Sequence, residues 1–129
     1  HYAFGAVAEW MCAYSIGIRT AENGEGFQRF ILAPTPDPTG VMKWALGHYD
    51  SMYGRITSSW QQDDESTTYH FTVPSNTQAT LYLPAKSTNQ VMESGKALQN
   101  RTDILLQETT EECIILALQS GHYVFEVKH

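Results

Sequence analysis

The side chains best suited to metal or nucleophilic chemistry are five histidines (His1, His48, His70, His122 and His129) and two cysteines (Cys12 and Cys113). A zinc centre needs such residues at short spacings that bring three or four ligands to one point. None of these spacings does that, and the sequence implies no metal and no cofactor. His48, His70 and His122 each fall inside a strand-like pattern and read as surface or satisfied core residues. No Gly-x-Ser-x-Gly elbow, phosphate loop or dinucleotide fingerprint is present. Two carboxylate pairs, Asp63-Asp64 and Glu111-Glu112, lie in turns. Glycoside hydrolysis needs two carboxyls on opposite sides of one pocket, which adjacency in sequence does not supply. Glu9 is the one acid in an apolar stretch. It reads as a rim residue bonded to a neighbouring helix rather than a buried acid with a raised pKa, because no partner is visible.

Exposed aromatics can also do chemistry of a softer kind by stacking on sugar rings. Tyr49, Tyr53, Trp60, Tyr69, Tyr82 and Tyr123 are available. Aromatic strand residues are more often core or cross-strand pairs than ligand platforms. The discriminating feature is whether those on neighbouring strands share one solvent-facing surface. A disulfide between Cys12 and Cys113 is conceivable but not favoured without a secretory signal. Asn100-Arg-Thr102 matches a glycosylation acceptor, relevant only in a eukaryotic secreted protein.

The elements that must position these groups fall into two kinds. From Tyr2 to Gly17 the apolar residues at positions 3, 7, 10, 11 and 14 follow helical spacing, and most of the others are apolar too. A helix greasy on nearly every side belongs inside something larger. The chain opens on His1 without a basic leader, and we read it as part of a longer protein. Gly17 reads as a stop signal, and residues 20–26 as a Gly-rich connection.

Short alternating runs follow: 27–33, 43–50, 55–62, 67–73, 78–83, 90–93, 103–107, 113–119 and 123–128. Turn residues such as Ser51-Met-Tyr-Gly54, Pro74-Ser-Asn-Thr77 and Ser120-Gly121 separate them. Many short strands with no helices between them predict an antiparallel β-sandwich, apolar inside and polar outside. The 129 residues carry 8 basic and 14 acidic side chains, a net charge of -6. That balance repels phosphate backbones and anionic bilayers, and no apolar run spans a membrane. We therefore expect neither a nucleic acid nor a membrane partner.

Read in order, the motifs resemble a known family. His1-Tyr-Ala-Phe-Gly-Ala-Val-Ala-Glu-Trp10, followed by Ile16-Gly-Ile18, resembles the last barrel helix of bacterial-type α-L-rhamnosidases of glycoside hydrolase family 78. Gly26-Phe27, Ile31-Leu-Ala-Pro34, Tyr49-Asp-Ser51, Gly54-Arg-Ile56 and Ser59-Trp60 resemble that family's C-terminal sandwich. So do Val73-Pro-Ser-Asn-Thr77, Ala79-Thr-Leu-Tyr-Leu-Pro84, Glu93-Ser-Gly95 and Ser120-Gly-His-Tyr-Val-Phe125. Where the family usually has a Gly before the Glu of its opening motif, this chain has Ala8.

The resemblance implies a mainly β fold: a jelly-roll-like antiparallel sandwich over residues 21–129, linker included. Before it would come the last helix, residues 1–20, of a truncated (α/α)₆ catalytic barrel. It implies an inverting glycosidase that removes terminal α-L-rhamnose from glycosides, with both the acid and the base upstream of this chain. No catalytic residue is then expected here. His1 matches a family histidine that contacts the bound sugar, the one substrate-binding residue implied. The partners implied are a rhamnose-containing glycoside and the upstream barrel of the same chain. The alternative is a non-catalytic carbohydrate-binding sandwich.

Overall fold

A computed structural model describes residues 16–20, 29–41, 43–98 and 102–129. The expected opening helix, with His1, Glu9 and Cys12, lies mostly outside them, as do the Gly-rich connection and Asn100. Within the range expected of that helix, Ile18–Thr20 is instead a strand, β1. Gly17 just before it has φ 64°, a left-handed conformation that turns the chain into the sheet.

Ten further strands follow. β2 is Arg29–Leu32, β3 Trp44–Ser51, β4 Gly54–Gln62, β5 Ser66–Val73 and β6 Gln78–Pro84. β7 is Val91–Glu93, β8 Lys96–Ala97, β9 Ile104–Thr109, β10 Cys113–Leu118 and β11 Gly121–Lys128. They form two sheets, ordered β1-β2-β6-β10-β9 and β3-β4-β5-β11-β7-β8. Every pairing is antiparallel except β2 with β6, which run parallel. The expectation of a wholly antiparallel sandwich is corrected there. A tight hairpin cannot join parallel neighbours, and β3, β4 and β5, which lie between β2 and β6 in sequence, belong to the other sheet.

Alternation with period two builds the core. In β5, Thr67, Tyr69, Phe71 and Val73 are buried, and in β11 Tyr123, Phe125 and Val127 face the same way. Opposite them lie Phe30, Leu32, Ala79, Leu81, Leu83, Ile114, Leu116 and Leu118 of the first sheet. Tyr69, Phe71, Phe125 and Tyr123 form a continuous band, with successive ring centroids 6.1–6.2 Å apart. At such spacings aromatic pairs add roughly 0.5–1.5 kcal/mol beyond area burial.

The turns are set by short polar residues. Ser51 Oγ accepts from Tyr53 N and donates to Gly54 O, closing the β3–β4 turn. Ser94 and Gly95 both have positive φ and join β7 to β8, the twist that a two-residue hairpin requires. Ser87 and Gln90 form a capping box around the 3₁₀ turn Thr88–Gln90.

The polar exterior expected of both sheets holds on β4 and β5 of the second, while edge strand β3 shows Trp44 and Leu46 on that face. Outward residues of the second sheet include Thr57, Ser59, Gln61, Thr68, His70 and Thr72. On the first sheet, Ile31, Tyr82, Leu105, Ile115 and Ala117 point outward, and all remain half-buried or exposed. β10 carries apolar residues on both faces, the composition of a strand covered on both sides.

Candidate functional site

The ends and edges of the sandwich hold the places where a ligand could sit. At one end, the 34–40 loop, the β4–β5 turn and the C-terminus enclose a groove of about 440 Å³. Asp37, buried, accepts at Oδ1 from Thr39 N (2.9 Å) and Thr39 Oγ1 (2.7 Å). Gln62 Nε2 donates to Asp37 O at 2.9 Å. Thr67 Oγ1 and His129 Nε2 lie 2.7 Å apart, and His129 N donates to Glu65 O. Tyr69 lines this groove almost wholly buried, and burial pushes its phenol pKa up. These groups bind one another and tie the loop to the sheet.

One acid of the pair in the β4–β5 turn, Asp63, does structural work. Asp63 Oδ1 accepts from Glu65 N (2.8 Å) and Ser66 N (2.9 Å). Those backbone hydrogen bonds from Ser66 and Glu65 hold its carboxyl below the ordinary range of about 4. Asp50 is held low in the same way, chiefly by the Arg55 guanidinium, which donates from Nε at 2.7 Å. A glycosidase acid needs the reverse shift, so that its proton is present at working pH. Neither carboxyl is built for it.

A pH dependence follows for the turn. Asp63 has a folded pKa below its unfolded one, so its contribution is complete above the unfolded value. It is lost as the pH falls through the folded value. The stability gap between the protein and Asp63→Ala, read from urea midpoints, should therefore be constant at neutral pH and narrow below about pH 4. A gap that does not vary with pH would refute the assignment.

His48, His70 and His122 emerge on the outer face of the second sheet, from three different strands. His122 Nδ1 lies 3.0 Å from Thr72 Oγ1, and His48 Nε2 3.9 Å from Asp50 Oδ2. Among the described residues no three His, Cys, Asp or Glu side chains converge as metal ligands. Cys113 is a free thiol. His1 lies outside the described residues.

The candidate stacking aromatics do not share a surface. Trp60, Tyr69 and Tyr123 are each 1 % exposed in the core. Tyr49 sits on the inward side of β3 and Tyr82 on the outer face of the other sheet. Among the described residues the most exposed aromatic is Trp44, 66 % exposed on edge strand β3, with Leu46 at 72 % beside it on the same face. The alternation of Trp44, Leu46 and His48 is plain in the sequence, but not which face points out. Ile16 decides it. A Cβ on Gly47 would overlap the Ile16 side chain, and Ser58 Oγ donates to Ile16 O at 2.7 Å, so the Ala45–Gly47 side of β3 is the covered one. Beside Trp44 lies a shallow cleft of about 280 Å³, reached by Lys43, Gln61, Asp63, Ser66 and Thr68.

Comparison with known proteins accounts for the sandwich as a whole. The profile of the family described as bacterial alpha-L-rhamnosidase C-terminal domain matches residues 17–98, well over half of the chain. The chain belongs to this family.

Two proteins named α-L-rhamnosidase are similar along nearly the whole chain. The α-L-rhamnosidase of Formosa agariphila is 27 % identical over 129 residues, all of this chain and 14 % of that protein. The α-L-rhamnosidase of Streptomyces avermitilis is 28 % identical over 127 residues, 98 % of this chain and 11 % of that protein. The chain thus spans about an eighth of the length of these relatives. Among solved structures, α-L-rhamnosidase from Dictyoglumus thermophilum superposes with a TM-score of 0.78 at 25 % identity, covering 100 % of this chain and 14 % of that one. The Streptomyces avermitilis enzyme, crystallised with L-rhamnose, gives 0.74 at 28 % identity, over 99 % of this chain and 11 % of that one.

Proposed function

We propose that this chain is the C-terminal part of an α-L-rhamnosidase that releases terminal α-L-rhamnose from glycosides. The observation that carries the reading is the family match over residues 17–98, together with relatives of that name similar along almost the entire chain. The small share of each relative that the chain covers supports a larger body upstream that does the chemistry. In this reading the opening apolar stretch is the last helix of a catalytic (α/α)₆ barrel, and the sandwich caps and steadies that barrel. The apolar outer face of the first sheet, with Ile31, Tyr82, Leu105, Ile115 and Ala117, suits a domain that rests against another body.

Inversion requires a general acid on the leaving oxygen and a base that activates water from the opposite face. Both belong upstream, in keeping with the lowered carboxyls of Asp50 and Asp63 in the sandwich. His1 would contact the sugar beside the catalytic base, its imidazole donating to or accepting from a ring hydroxyl. The test uses the longer polypeptide that carries this chain. On p-nitrophenyl α-L-rhamnoside it should release p-nitrophenol, and proton NMR should detect β-L-rhamnose as the first product. First release of the α anomer would overturn inversion, and absence of turnover would overturn the activity.

A further inference from the structure

We propose that the cleft beside Trp44 binds a single pyranose ring of a neutral glycan at the edge of the sandwich. The ligand class rests on the glycosidase reading above, while the site itself rests on geometry. β3, β4 and β5 pair so that Trp44, Gln61 and Thr68 stand side by side in one row across the outer face of the second sheet. The indole, 66 % exposed, offers a flat apolar surface, and Leu46 extends it along the strand. A pyranose presents a patch of C–H groups on one face of its ring and hydroxyls around its rim. A recognition site for it therefore needs an aromatic platform with donors and acceptors at the platform's edge.

Those groups are present. Gln61 brings two donors and an acceptor, and Thr68 and Ser66 bring hydroxyls, that of Ser66 donating weakly to Glu126 Oε2 at 3.5 Å. Among the described residues, neither Gln61 nor Thr68 has its side chain engaged in a hydrogen bond. Asp63 is oriented by its turn through Oδ1, and Oδ2 takes no hydrogen bond from the described residues. Lys43 and Asp63 cancel in charge, so the cleft favours an uncharged ligand over an acidic or basic one. Its volume of about 280 Å³ lies just below the range of about 300–1,000 Å³ usual for drug-sized ligands, and suits one ring. The larger groove at the sandwich end lacks this pattern, because its aromatic, Tyr69, is buried.

The experiment is a proton–nitrogen NMR titration of the 129-residue chain with methyl α-L-rhamnopyranoside and, separately, methyl α-D-glucopyranoside. The expected result is a saturable shift of the Trp44 indole N–H and the Gln61 carboxamide, with a Kd of about 1–10 mM, as befits a small ligand held by few contacts. Trp44→Ala, at an exposed position, should keep the rest of the spectrum and weaken binding at least ~10-fold, while Trp44→Tyr retains most of it. Binding of the glucoside alone would uphold the pyranose site and count against rhamnose as its ligand. Absence of a saturable shift with either glycoside at about 100 mM, or a shift that survives Trp44→Ala, would overturn the proposal.

Discussion

Replacing Trp60 with alanine should remove a large share of the sandwich's stability. Trp60 is 1 % exposed on the inner face of β4, opposite Tyr69 of β5 and Ala45 of β3. Removing a fully buried indole costs about 3–5 kcal/mol, because transfer energy and cavity penalty add. A small domain has roughly 5–15 kcal/mol in total. The loss is therefore comparable with the whole margin at the lower end. Thr57→Ala, on the outer face of the same strand, should change stability by no more than about 0.5 kcal/mol. Urea denaturation followed by circular dichroism checks both. Equal midpoints for the two variants would contradict the assignment of Trp60 to the core.

Gly17→Ala carries the second large effect, through two separable causes. The residue has φ 64°, where an L side chain costs about 1–2 kcal/mol. The added methyl would also overlap the carbonyl of Ala33, whose own N–H donates to Gly17 O at 2.9 Å. The backbone would have to part there, detaching β1 from β2. Gly40 separates the two terms, since it has φ 77° with nothing within 4 Å of its missing Cβ. Gly40→Ala should show only the conformational cost, about 1 kcal/mol. Gly17→Ala should lose at least about 2 kcal/mol and the exchange protection of the Ala33 amide. If the two variants lose equal stability, the close approach at Ala33 is refuted.

Where one face of a strand is buried and the other wet, the fold was legible residue by residue. Tyr69, Phe71 and Val73 against Thr68, His70 and Thr72 leave one assignment open, because a one-residue slip would bury the wrong set. The short β1 and β8 gave no such signal, since two or three residues show no period. The parallel pairing of β2 with β6 is invisible locally, being fixed by where three intervening strands go. β10 fits either face, as Ile115 and Ala117 are as apolar as Ile114 and Leu116.

The candidate site divides in the same way. Adjacent acids in turns and histidines in strands carry their bland meaning in the sequence, and the structure agrees at Asp63, His48, His70 and His122. In the sequence Trp44 belongs to one of two alternating faces of the run 43–50. Its exposure depends on Ile16, nearly thirty residues away, which covers the opposite side of the strand. Family membership was legible because it rests on the order of many short motifs, which survives when no single motif is diagnostic.

In the proposed function this chain supports a glycosidase whose catalytic groups lie upstream of it. The most direct test is to assay the purified 129-residue chain on p-nitrophenyl α-L-rhamnoside beside the longer polypeptide at equal molarity. The account predicts turnover by the longer polypeptide and none above the buffer rate by the 129 residues alone. Sustained release of p-nitrophenol by the 129-residue chain, scaling with its concentration, would contradict it.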